Sequence, residues 1–234
     1  MELEVRGLTK QFGAVTAVTD VSFTAPAGMV TSLLGPNGSG KTTTLRAALG
    51  LVRPTAGAAL IGGVPYQRLE RPRRTVGALL DAAGFHPGRR ARDHLRVLAA
   101  AAGLPDRRVD EVLDQVGLTA SGSRRVRGFS LGMRQRLGLA AALLGQPGLL
   151  LLDEPANGLD PAGVAWLRGL LRDLAGQGRC VVVASHGLAE VAQTADRVVI
   201  LSGGRLRFAG PLRELGVTGG ALESAFLKLT AAPA

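Results

Sequence analysis

Nine residues constrain this chain more than any others: Gly35-Pro36-Asn37-Gly38-Ser39-Gly40-Lys41-Thr42-Thr43. They satisfy the spacing G-x-x-x-x-G-K-[ST]. An apolar run, Met29 to Leu34, precedes them, and a helix-compatible run, Thr42 to Leu49, follows. Glycines let a loop in that setting curl so that successive N–H groups converge on an anion. The start of the helix adds unpaired N–H groups and the positive end of its dipole. The spacing places Lys41 at the β- and γ-phosphates of a nucleotide and the Thr42 hydroxyl at Mg²⁺. The bland alternative is a glycine-rich turn with a surface lysine. Against it, the chain holds only the lysines Lys10, Lys41 and Lys228 among its 28 basic residues. A sequence that otherwise writes positive charge as arginine keeps lysine here, which favours nucleotide binding.

Around this loop the chain reads as an alternation of strands and helices. Glu2–Arg6 and Val18–Thr24 have strand character, with Lys10-Gln11-Phe12-Gly13 between them. Phe12 is either core packing or an aromatic that stacks on a purine. Ala58–Ile61 and Val76–Leu80 read as further strands, the second ending at Asp81. From 82 to 144 arginine is dense and strand signals vanish. Helices are expected at Ala91–Ala102, at Asp106–Val116 and from Phe129-Ser130-Leu131-Gly132-Met133-Arg134-Gln135-Arg136 through Leu144. Leu149–Leu152 is a continuous apolar run, as in a central parallel strand. It ends in Asp153-Glu154-Pro155, where open α/β sheets bind ligands. Asp160 and Pro161 fit the cap and first residue of a helix reaching Ala175. Val181–Ala184 leads into Ser185-His186, and Val198–Leu201 with Leu206–Ala209 forms a closing hairpin. Helical runs start at Pro211 and Ala221. The domain division expected is a nucleotide-binding core of 1–81 and 145–234 with a helical subdomain at about 82–144.

Several function classes are disfavoured by composition. Leu137–Leu152, the most apolar stretch, is broken by Gln146-Pro147 and falls short of about 18 membrane-spanning residues. No basic-then-apolar leader precedes Val5, so no signal peptide is expected. One cysteine, Cys180, forbids an internal disulfide framework and suits a small buried hydrophobe. The net charge of +10 is compatible with nucleic acid, an anionic membrane surface or arginine-rich composition alone. Aromatics are only 3% and do not cluster among the arginines, which argues against a base-stacking surface.

Together the phosphate loop, Ser130–Gly132, Leu149–Glu154, Asn157–Asp160 and His186 resemble the ATP-binding cassette subunit of ABC transporters, in the family's order and over essentially the whole chain. A phosphate loop alone is shared by many NTPases; the ensemble is specific. The resemblance implies an α/β P-loop NTPase fold, with a mixed, mostly parallel core sheet, an N-terminal antiparallel β portion and an inserted helical subdomain. It implies ATP and Mg²⁺ as cofactors. Phe12 would stack on adenine, residues Gly35 to Thr43 would hold phosphate, and Asp153 would support Mg²⁺ with Thr42. Glu154 would be the general base on the attacking water, and His186 would contact the γ-phosphate. Ser130 and Gly132 would cap the γ-phosphate of a second cassette, with Asp160 on the turn facing that interface. The implied partners are that second cassette and integral membrane permease subunits, at the cytoplasmic face of the membrane; no nucleic acid is expected.

Two departures from the family pattern narrow the reading. The usual Leu-Ser-Gly-Gly-Gln is here Phe129-Ser130-Leu131-Gly132-Met133, and Asp81 stands where a glutamine is usual, still able to approach Mg²⁺. Both resemble the drug- and bacitracin-type exporters, implying export of a small amphipathic molecule. The alternatives are a lipid-exporter or importer cassette, a soluble ABC ATPase acting on DNA or the ribosome, and a regulatory cassette that binds ATP without hydrolysis. The soluble enzymes resemble tandem cassettes or carry long coiled-coil insertions, which this chain lacks. Glu154 and His186 argue against the regulatory reading.

Overall fold

A computed structural model describes residues 1–80, 84–216 and 219–231. The N-terminal hairpin pairs β1 (Leu3–Phe12) with β2 (Val15–Ala25). Leu3, Val5 and Leu8 of β1 and Val18, Val21 and Phe23 of β2 point into the core, and their neighbours face outward. Next come β3 (Val30–Leu34), the phosphate loop, α1 (Lys41–Ala48) and β4 (Ala56–Ile61). β4 pairs antiparallel with β1 and completes a three-stranded sheet ordered β2-β1-β4.

A short α2 (Pro72–Thr75) leads into β5 (Val76–Leu79), and the helical layer follows as α3 (Ala91–Ala101), α4 (Arg107–Gln115) and α5 (Leu131–Leu143). The chain then returns through β6 (Leu149–Asp153), α6 (Pro161–Gly176), β7 (Cys180–Ser185), α7 (Leu188–Thr194), β8 (Arg197–Ser202), β9 (Arg205–Pro211) and α8 (Gly219–Thr230). The second sheet is ordered β5-β6-β7-β3-β8-β9; all its pairings are parallel except β8 with β9.

Both faces of this sheet are covered, which explains its unbroken apolar strands. Leu150 and Leu152 of β6, with Val181 and Val183 of β7, join the core under α3, α4, α5 and α6. Leu149 and Leu151, with Val182 and Ala184, join the opposite core against β1, β2 and α1. All four leucines are fully buried. Each contributes about 1.5–3 kcal/mol of transfer free energy. That rigidity holds the end of β6, where Asp153 and Glu154 sit.

Some expectations need correction. β1 and β2 extend through Lys10-Gln11-Phe12 and from Val15, well beyond the stretches with clear alternation. Register shifts after Val5, Leu8 and Lys10, together with left-handed backbone at Gly7 and Asp20, scramble the inside–outside pattern while pairing continues. Phe12 is therefore the last residue of a strand rather than part of a connecting loop. Pro211 ends β9 and a 3₁₀ turn, Leu212–Leu215, follows; the terminal helix begins at Gly219. α7 had no clear sequence signal, and among its residues only Val191 is fully buried. No helix among the described residues is long and apolar enough to cross a membrane.

Candidate functional site

A cavity of about 750 Å³ opens at the carboxyl ends of β3 and β6, the crevice in which open α/β sheets bind ligands. Phe12, the loop from Asn37 to Thr43, Asp153 and Glu154 line it together. Gly40 adopts φ 101°, and a Cβ there would lie 2.8 Å from the Ala17 carbonyl oxygen, so the turn into α1 requires glycine. No side chain caps α1, leaving its first N–H groups facing the cavity for an anion. Lys41 is 6% exposed and curls over the loop, donating to the carbonyls of Gly35 at 2.6 Å and Pro36 at 3.1 Å. Burial pushes its pKa down, opposed by the nearby Glu154 and Asp153. A phosphate bound in the loop would restore what burial removes.

Thr42 Oγ1 donates to Asp153 Oδ2 at 2.6 Å. Burial raises the Asp153 pKa, the Thr42 bond lowers it, and neighbouring Glu154 raises it again. No group of three or more His, Cys, Asp or Glu side chains among the described residues is arranged to hold a metal ion by itself. One carboxylate and one hydroxyl fit Mg²⁺, which keeps several waters and takes further oxygens from substrate phosphates. Asp81 lies outside the described residues. If Asp153 holds Mg²⁺ it must be ionised to do so, and the affinity is then expected to fall as pH drops through its raised pKa, above the ordinary carboxylate value near 4. Mg²⁺ titrations of nucleotide binding across pH check this, and Asp153→Asn should flatten the profile. With the folded pKa above the unfolded value, the stability linked to Asp153 is present at low pH and lost as pH rises through the folded pKa.

Glu154 has φ 48°, a left-handed conformation costing a non-glycine residue about 1–3 kcal/mol. Its N–H donates to the Ala184 carbonyl of β7 at 2.9 Å. Its carboxylate Oε1 lies 2.8 Å from His186 Nδ1. The tautomer of His186 with hydrogen on Nδ1 would donate to the Glu154 carboxylate and turn Nε2 away from it. Glu190, on α7 behind this pair, has its pKa raised by burial first and by Glu154 second.

Phe12 is 48% exposed at the cavity rim, and the Lys10 ammonium stands 4.7 Å from its ring centroid. That cation occupies one ring face, and a base would stack on the other. Phe12→Ala is expected to weaken ATP binding by about 1–3 kcal/mol, measured as a fluorescent-nucleotide Kd, with GTP and ATP affected alike.

Six expected residues do not line the cavity: Gly35 and Pro36, whose carbonyls accept from Lys41, His186, which meets Glu154, and Ser130, Gly132 and Asp160. Ser130 caps α5, its Oγ accepting from Met133 N at 3.2 Å, and is exposed. Asp160 caps α6, its Oδ1 accepting from Gly163 N at 2.8 Å. Gly132 packs against the turn between them: a Cβ there would lie 2.8 Å from the Gly158 carbonyl oxygen. Leu131, Arg134, Gln135 and Asn157 do line the cavity. Gln135 escaped the sequence reading, although the signal existed. It falls on one helical stripe with Gly138, Leu139 and Ala142, all buried, and a buried polar group there needs a partner. That partner is the Glu154 carbonyl, 3.1 Å from Gln135 Nε2.

The family model described as ABC transporter matches residues 18–157 of the chain. Among curated relatives, the chain is 39% identical to the bacitracin transport ATP-binding protein BcrA of Bacillus licheniformis, over 87% of this chain and 68% of the relative. It is 35% identical to the lantibiotic transport ATP-binding protein SrtF of Streptococcus pyogenes, over 87% of this chain and 88% of the relative. A solved ATP-binding subunit of an ABC transporter superposes with a TM-score of 0.88 at 30% identity, covering 98% of this chain and 99% of that one.

Proposed function

The chain belongs to the ABC transporter family as one of its ATP-hydrolysing cassettes, and from that premise we propose that it drives export of a small amphipathic molecule through a separate membrane permease. The observation that carries the site reading is the division of two adjacent carboxylates. Asp153 pairs with Thr42 of the phosphate loop, and Glu154 pairs with His186. One carboxylate is thereby set for a metal and the other for a water.

In this reading ATP enters the cavity with its base on Phe12 and its phosphates along Gly35–Thr43. Thr42 and Asp153 would hold Mg²⁺, which would supply neutralisation of phosphate charge when bound. Lys41 leaves the Gly35 and Pro36 carbonyls for the phosphate oxygens. Glu154 accepts the proton of the attacking water, and His186 orients water and γ-phosphate through Nε2. Ser130 and Gly132 serve a nucleotide held by a second cassette, with Asp160 at the shared face; the exposure of Ser130 and Asp160 at helix starts, with Gly132 half-buried beside Gly158, is consistent with that. The helical layer, about 82–144, is assigned to the permease and the remainder to nucleotide, which puts the chain on the cytoplasmic face of the membrane. Leu131 and Met133 and the relatives named for bacitracin and lantibiotic transport support peptide-antibiotic export over lipid export or import.

Co-purification with a tagged full chain from detergent-solubilised native membranes tests this. The expected result is a multi-spanning protein whose ATPase activity rises with a cyclic or lanthionine peptide antibiotic. Stimulation by a lipid instead would replace the cargo assignment. Recovery of ribosomes or DNA would overturn the transport reading.

A further inference from the structure

We propose that Gln135 is a positioning residue for Glu154, tying the backbone of the base to the helix that begins at Ser130. The inference rests on the reading of Glu154 as base and deepens it. Three observations carry it. Gln135 is 4% exposed and is the one polar side chain among the buried residues of α5. Its Nε2 donates to the Glu154 carbonyl at 3.1 Å. Glu154 itself sits in left-handed backbone at φ 48°, which does not persist unless its surroundings hold it.

The hydrogen bonds around Glu154 define what Gln135 adds. The Glu154 N–H is fixed to Ala184 of β7, and Asn157 N donates to the Glu154 carbonyl at 3.1 Å, closing the local turn. Pro155 has no N–H to continue a ladder. Gln135 takes the second lone pair of that carbonyl and is the contact that comes from the helical layer. Ser130 and Gln135 lie at the start of the same helix, so a tilt of α5 reaches the Glu154 peptide directly. The carboxylate, hydrogen-bonded to His186, turns with that peptide. Motion of the helical layer and alignment of the base are thus joined by one side chain.

Gln135→Leu keeps the bulk and removes the donor, while Asn157 still satisfies the carbonyl, so the variant keeps its fold. Measured on the full chain, with its co-purified permease where the chain alone is silent, kcat is expected to fall about tenfold. The Kd for ATP stays unchanged. Hydrogen exchange should rise across residues 150–158 and hold in β3 and β7. In a Glu154→Gln background, Gln135→Leu should lower single-turnover hydrolysis no further. An unchanged kcat would overturn the proposal. So would faster exchange throughout the core, which marks a merely structural residue, or a full tenfold loss persisting without Glu154. Normal turnover in Glu154→Gln alone would instead remove the base itself, a separate failure.

Discussion

Glu154→Gln is expected to cut ATP turnover by about 10²–10⁴-fold, the range for removing a positioned general base, with ATP affinity unchanged. Glutamine matches glutamate in shape and tolerates φ 48° no worse, so the bonds from Glu154 N to Ala184 and from Gln135 to the carbonyl persist. Only the proton-accepting charge is lost. Asp153 and Thr42 are untouched, so Mg²⁺ and phosphate keep their ligands. With binding intact and hydrolysis stalled, ATP-bound pairs of the chain should accumulate as dimers in size-exclusion chromatography with ATP and Mg²⁺. Normal turnover would remove Glu154 as base. A lost ATP affinity would place Glu154 on the metal and dissolve the division of labour with Asp153.

What could be read from the residue order follows from where local chemistry decides the structure. The loop Gly35–Thr43 is specified by its glycines. β6 announces itself because a strand buried on both faces cannot alternate, and Asp160-Pro161 is a cap and first turn in its own right. The reach of β1 to Phe12 was hidden by register shifts, which preserve hydrogen bonds while erasing the period of two. The joining of Glu154 to both His186 and Gln135 was hidden for a different reason. It links β6 with the loop after β7 and with α5, elements brought together only by sheet order. Nothing local in Asp153-Glu154-Pro155 predicts that Glu154 alone takes left-handed backbone.

Lys41→Ala is expected to weaken ATP binding by about 3 kcal/mol, roughly 100-fold, as truncation of a buried charged partner does. The nucleotide-free chain should change little in thermal stability, because relief of the buried Lys41 charge offsets the loss of its bonds to the Gly35 and Pro36 carbonyls. Unaltered ATP affinity would undo the phosphate-loop assignment. Lys41→Arg is the sharper test in a chain so rich in arginine. The ammonium reaches two carbonyls, Gly35 O at 2.6 Å and Pro36 O at 3.1 Å, from a position 6% exposed. A planar guanidinium has neither the compact charge nor the slender tip to occupy that point. Lys41→Arg should therefore lose most of what Lys41→Ala loses. Binding at the original affinity would mean the loop asks only for positive charge, and the rarity of lysine elsewhere in the chain would then say nothing about this site.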